Sequence, residues 1–129
     1  DPYGQTDQDT VTVTLGVVDV TGLVTISRLA PVAAGRRFEY NIRVRVTNLT
    51  DGDLAAPVSL VLDGLPASVR VLNLTGNTTT ATGTPSQPYL DRTAIAPGRT
   101  SEYILRVRAT GRFTALPGRQ RVLAGIGPR

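Results

Sequence analysis

The hydrophobic positions of this chain recur at every second residue almost from end to end, and nowhere at the 3.6-residue spacing of an amphipathic helix. Such a pattern predicts β-strands. From Thr10 to Val18, the residues Val11, Val13, Leu15 and Val17 alternate with Thr10, Thr12, Thr14 and Gly16, giving one apolar and one hydroxyl-rich face. Residues 1–10 are polar and aperiodic and read as an arm. Leu23 to Arg28 alternates again through Val24 and Ile26, and Ala30-Pro31-Val32-Ala33-Ala34-Gly35 closes that strand as a loop. The clearest strand runs from Arg37 to Leu49. There Phe38, Tyr40, Ile42, Val44 and Val46 face a core, while Glu39, Asn41, Arg43, Arg45 and Thr47 face water.

The second half of the chain repeats the theme. Asn48-Leu49-Thr50-Asp51-Gly52-Asp53 is a turn, because Asp-Gly takes the positive-φ position cheaply. Val58, Leu60 and Leu62 form a strand that ends at Asp63-Gly64-Leu65-Pro66, and Val69 and Val71 begin another. The stretch from Asn73 to Gln87 is weakly periodic and predicts an exposed loop or a poorly paired edge. Tyr89 and Leu90 resume an extended segment, and Ala96-Pro97-Gly98 turns the chain. Thr100 to Thr110 then sets Tyr103, Leu105, Val107 and Ala109 against Glu102, Ile104, Arg106 and Arg108. After the Leu116-Pro117-Gly118 turn, Gln120 to Ala124 is the last strand. The expected fold is all-β: an antiparallel immunoglobulin-like β-sandwich of about seven to nine strands with an N-terminal extension strand. Residues 1–22 are read as the acidic arm and extension strand, and residues 23–129 as the sandwich.

Particular segments carry a family resemblance. Val44-Arg-Val-Thr-Asn-Leu-Thr50, Ala56-Pro-Val-Ser-Leu-Val-Leu-Asp-Gly-Leu-Pro66, Val71-Leu-Asn-Leu-Thr-Gly76, Ile95-Ala-Pro-Gly98 and Arg121-Val-Leu-Ala-Gly125 together resemble immunoglobulin-like modules of bacterial secreted and cell-surface proteins. The resemblance covers roughly residues 24 to 126. It implies a non-catalytic spacer, stalk or adhesive unit and lends no binding residues. Ile95 stands where such modules carry Leu, and Arg106 and Arg108 make the following strand unusually basic.

Composition narrows the chemistry. The 129 residues include no Cys, His, Met or Trp, which removes the usual general base, the thiol nucleophile and the soft metal ligands. An enzyme is therefore not expected, nor a cofactor or metal. Asp7-Gln8-Asp9 and Asp51-Gly52-Asp53 each offer two carboxylates where Ca²⁺ wants six to eight oxygens, so they read as a solvated arm and a turn. Asp63 and Asp91 could pair as acid and base, but Asp63 belongs to a turn signal. No apolar run is long enough to span a bilayer as a helix. A chain that opens on Asp1-Pro2-Tyr3 reads as a processed polypeptide or an excised piece, and its Thr, Gly, Asn and Pro content points to a secreted, extracellular or cell-surface location.

Charge is distributed unevenly. All 14 basic residues are Arg, and the formal net charge is +4. Residues 1–27 hold Asp1, Asp7, Asp9 and Asp19 and no Arg, so the arm is acidic and the body basic. Nucleic-acid binding needs aromatic platforms or a recognition helix beside the basic residues, and neither is present in the pattern. Arg43 and Arg45 on one strand and Arg106 and Arg108 on another make a four-Arg patch if the strands are neighbours, suited to a polysaccharide or an acidic partner. Tyr40 and Tyr103 fall on apolar faces, which leaves Tyr3 and Tyr89 as sugar-stacking candidates. Asn48, Asn73 and Asn77 each begin an N-x-[ST] acceptor pattern, and the Thr75 to Thr84 run suits O-linked sugar.

The segment around Val11, Val13, Leu15 and Val17 is a complete strand outside the module, and a surplus strand needs a sheet edge. It is either the first strand of its own sheet or an addition to a neighbouring copy or domain, with the acidic arm meeting the next basic body. The latter contact is head-to-tail and generates a filament or stalk. The expected function is thus a structural module that self-associates through this strand. The alternative is an accessory module that binds carbohydrate or an acidic partner.

Overall fold

The structure, a computed structural model, describes residues 16–79, 86–111 and 113–129. Among these residues ten strands are divided between two antiparallel sheets that pack face to face. They are β1 (Val18–Asp19), β2 (Val24–Arg28), β3 (Val32–Ala33), β4 (Glu39–Asn48) and β5 (Val58–Asp63), then β6 (Val69–Val71), β7 (Gly76–Asn77), β8 (Pro88–Arg92), β9 (Thr100–Ala109) and β10 (Arg119–Ala124). The first sheet runs β1-β10-β5-β8-β7. The second runs β2-β4-β9-β6, with β3 beside β4.

The alternation of β4 and β9 becomes the pleat of the second sheet. Ile42, Val44 and Val46 of β4 and Tyr103, Leu105 and Val107 of β9 turn inward and are buried against Val58, Leu60 and Leu62 of β5 and Val122 of β10. The Tyr103 hydroxyl crosses the core to donate to the Val58 carbonyl at 2.7 Å, so this buried phenol is satisfied and ties the two sheets together. Burial pushes its pKa up. Leu54 and Ile95 bridge at one end of the sandwich, and Tyr40 packs its ring against Phe113 with centroids 5.5 Å apart.

Two local outcomes, at Phe38 and in β5, differ from the sequence pattern. Phe38 does not continue the inward row of β4: it adopts φ 61, Arg37 lies 4.8 Å over its ring, and the strand starts one residue later at Glu39. β5 is buried on both faces, because Ser59 and Val61 turn away from the core yet are fully covered. The chain's last residues return across this outer face, where Arg129 is 6% exposed and donates to Ser59 Oγ at 2.7 Å and to the Pro57 carbonyl at 2.6 Å. Within the weakly periodic stretch from Asn73 to Gln87, β7 pairs with Pro88 and Tyr89 of β8 as a short edge.

The N-terminal side of the sandwich begins before residue 23. β1 pairs with β10 of its own chain, Val18 with Ala124 and Asp19 with Leu123. The Val20 amide donates to the Val122 carbonyl at 2.8 Å, and the Val122 amide to Thr21 Oγ1 at 2.9 Å. Asp19 caps the turn by accepting from the Thr21 amide and hydroxyl and lies 3.8 Å from Arg121, which is itself ion-paired to Asp63. Burial alone would raise the Asp19 pKa. The Thr21 hydrogen bonds and the Arg121 and Arg119 charges outweigh it and leave the carboxyl below the ordinary aspartate range.

Candidate functional site

Pairing of β4 with β9 brings the four sequence-singled arginines onto one face. In register, Glu39 sits opposite Arg108, Asn41 opposite Arg106, Arg43 opposite Ile104 and Arg45 opposite Glu102, all on the outer side of the second sheet. The patch is less free than four arginines suggest. Arg108 donates to Glu39 Oε2 at 2.5 Å and Arg45 to Glu102 Oε2 at 2.9 Å. Arg43 and Arg106 only approach those glutamates, at 4.0 and 3.9 Å, and their side chains are 60% and 50% exposed. Of these four arginines, Arg43 and Arg106 are therefore the two that no glutamate hydrogen-bonds, and exposed Arg70 of β6, opposite Arg108, adds to the positive charge of the face.

Glu39 is the buried anchor of this arrangement, with a side chain 4% exposed. Its hydrogen bond from Arg108 holds the carboxyl below the ordinary glutamate range, against the opposing effect of burial and with help from the Arg108, Arg36 and Arg106 charges. A group whose pKa is lowered by folding contributes fully above its unfolded pKa and loses that contribution as pH falls through the folded one. Urea unfolding midpoints are accordingly expected to hold from neutral pH down to about 4.5, the ordinary glutamate value, and to fall below it. Glu39→Gln flattens part of that acid limb; an unchanged limb would remove Glu39 as its source.

Apolar groups punctuate the same face. Ile104 is 47% and Val32 64% exposed, with Val32 paired to Asn41. Leu72, exposed, donates its amide to the Arg106 carbonyl. A groove of about 180 Å³ opens beside Arg43, walled by Leu29, Ala30, Val32 and Asn41.

A second feature lies at the edge of the first sheet. Among the described residues β1 is the outermost strand there, and Val18 is exposed beside a mainly apolar groove of about 340 Å³ formed with Val20, Leu54, Ala55 and Ile126. Val17 is half-buried and close to Gly127. Val11, Val13 and Leu15, with Asp1, Asp7 and Asp9, lie outside the described residues, as does Tyr3.

The remaining sequence candidates separate. Asp91 accepts from the Ser59 hydroxyl and Asp63 from Arg121. Asp91 is opposite Ser59, four residues along β5 from Asp63 and so about 13 Å away, too far for the two carboxyls to work on one bond. Asn48 is fully buried. Its amide nitrogen donates to the Gly52 and Ile95 carbonyls, and its oxygen accepts from the Thr50 amide and hydroxyl, so this acceptor pattern is a structural turn and not a sugar site. Asn73 uses its side chain as a strand substitute, donating to the Ile104 carbonyl and accepting from the Arg106 amide. Asn77 is exposed on β7; of the Thr75 to Thr84 run, residues 80–84 lie outside the described residues. Tyr89 is half-buried on β8, with its ring against Gly76.

Sequence reasoning missed Arg129, which had no periodic pattern to place it, and the burial of Glu39. Among the described residues no helix is long and apolar enough to cross a membrane. Comparison of the chain with models of protein families and with curated proteins finds no match.

Proposed function

We propose that this chain is a non-catalytic, extracellular structural module of immunoglobulin-like topology that joins copies of itself, or neighbouring domains of one assembly, head-to-tail through its N-terminal strand. The observation that carries this reading is that β1 is the outer strand of the first sheet among the described residues, where exposed Val18 borders an apolar groove directly after the alternating Val11, Val13, Leu15 and Val17 of the sequence. Main-chain pairing of such a segment supplies affinity, and its alternate apolar side chains supply register. A filament, stalk or surface-layer subunit is the product of repeating that contact. Sedimentation with negative-stain electron microscopy on the full chain should show polymers that grow with concentration and are lost in Val11→Ser/Val13→Ser/Leu15→Ser. A compact monomer at every concentration would sink the reading.

A second reading, a module that binds polysaccharide or an acidic partner, is favoured by the gathering of four arginines on the β4–β9 face. It calls for a ligand whose affinity falls with salt and with Arg43→Ala/Arg106→Ala, in a protein that stays monomeric.

A further inference from the structure

We infer that the outer face of the second sheet is the acceptor for the acidic N-terminal segment of a second copy of this chain. The inference rests on the head-to-tail reading above and names the surface that the arm would meet. Asp7, Asp9 and Val11 follow one another at every second position, so an extended segment presents two carboxylates and then an apolar group along one face. The acceptor face offers two arginines at a matching interval. Arg106 and Arg43 are diagonal neighbours across the β4–β9 pair, and the groove walled by Leu29, Ala30 and Val32 opens next to Arg43.

The spacings agree as well. Alternate residues of a strand stand about 6.6 Å apart, and diagonal cross-strand neighbours about 7–8 Å apart. Asp7 over Arg106 therefore sets Asp9 over Arg43, so that both carboxylates meet a guanidinium at once. Of the four arginines on β4 and β9, these are the two that no glutamate hydrogen-bonds. Exposed Ile104, directly opposite Arg43, adds apolar surface between the two ion pairs. A second copy is favoured over the chain's own arm because the N-terminal segment joins the sandwich at Gly16, beside Gly125 of the first sheet's edge, whereas the acceptor is the outer face of the opposite sheet.

The test is sedimentation velocity on the full chain at low and high salt, with paired charge reversals. Arg43→Glu/Arg106→Glu and Asp7→Arg/Asp9→Arg should each weaken association about tenfold or more, and an equimolar mixture of the two should restore it, since each then carries what the other lacks. Arg43→Gln/Arg106→Gln removes the charge without placing new acids beside Glu39 and Glu102, and should weaken association with an unchanged urea midpoint. Association abolished by Val11→Ser/Val13→Ser/Leu15→Ser but untouched by the charge variants would overturn this inference and leave the head-to-tail reading standing. A full chain that never associates overturns both. If a sulfated oligosaccharide binds the Arg face of a chain that stays monomeric, the partner is a glycan and the inference fails. Loss of association that the mixture does not restore overturns it too.

Discussion

Arg129→Ala is expected to lower the unfolding free energy by about 3 kcal/mol, the larger part of it from stranded hydrogen-bonding groups. The guanidinium donates from Nε to Ser59 Oγ, from Nη1 to the Gly125 and Gly127 carbonyls and from Nη2 to the Pro57 carbonyl, all between 2.6 and 2.9 Å. Its own carbonyl accepts from the Thr79 amide at 2.7 Å. Charged hydrogen bonds of this kind contribute about 1.5–3 kcal/mol each when broken singly and are not additive when one residue supplies several. Truncation also uncovers a face on which Val61 and Leu123 are buried although neither belongs to the main core cluster. Arg129→Lys keeps the charge without the planar fork, and about half of the loss should remain. Urea denaturation with an unchanged m-value checks both. A shift in Arg129→Ala below about 0.5 kcal/mol, the range of ordinary surface changes, would show that the tail is not part of the folded unit.

Gly118→Ala is expected to cost about 2–5 kcal/mol. Gly118 has φ 77, and a Cβ there would stand 2.2 Å from the Asp63 carbonyl oxygen and 3.2 Å from Gly64 backbone atoms. Neither neighbour can give way without moving the strand end, because Arg119 is paired with Asp63 and Arg121 is ion-paired to the Asp63 side chain. Relief of the clash pushes β10 from β5, and β10 is the strand on which β1 is hung. Gly98 supplies the internal comparison. It has nearly the same φ, 72, but nothing within 4 Å of its would-be Cβ, so Gly98→Ala should cost only the conformational penalty of about 1–2 kcal/mol. Thermal or urea unfolding of the two variants separates steric from conformational strain. Equal losses would refute the steric account.

The candidate face was legible to the extent that strand geometry is local. Period two set Arg43, Arg45, Arg106 and Arg108 on wet faces, and the long matched alternations of β4 and β9 suited them to pair. What the pattern could not assign was the state of each charge. Glu39 reads as one more exposed strand residue, yet it is buried beneath Arg108, and this pairing leaves Arg106 in longer-range contact with the same carboxylate. Asn48 illustrates the same limit. Its N-x-[ST] pattern is a local string, while its burial depends on the Ile95 carbonyl 47 residues away. Phe38 obeys the alternation in sequence and breaks it in space, because the turn entering β4 needs a left-handed residue there.

Alternation was enough to read the long strands and most of their inward and outward faces, and hence a sandwich, because a pleated backbone translates i, i+2 periodicity directly into sides of a sheet. The tertiary structure alone decided that β5 is buried on both faces, that Arg129 covers Ser59, and that four arginines share two glutamates. Those outcomes depend on which segments meet at sequence separations of 32 to 72, and on the desolvation and pairing of charges that follow from that meeting.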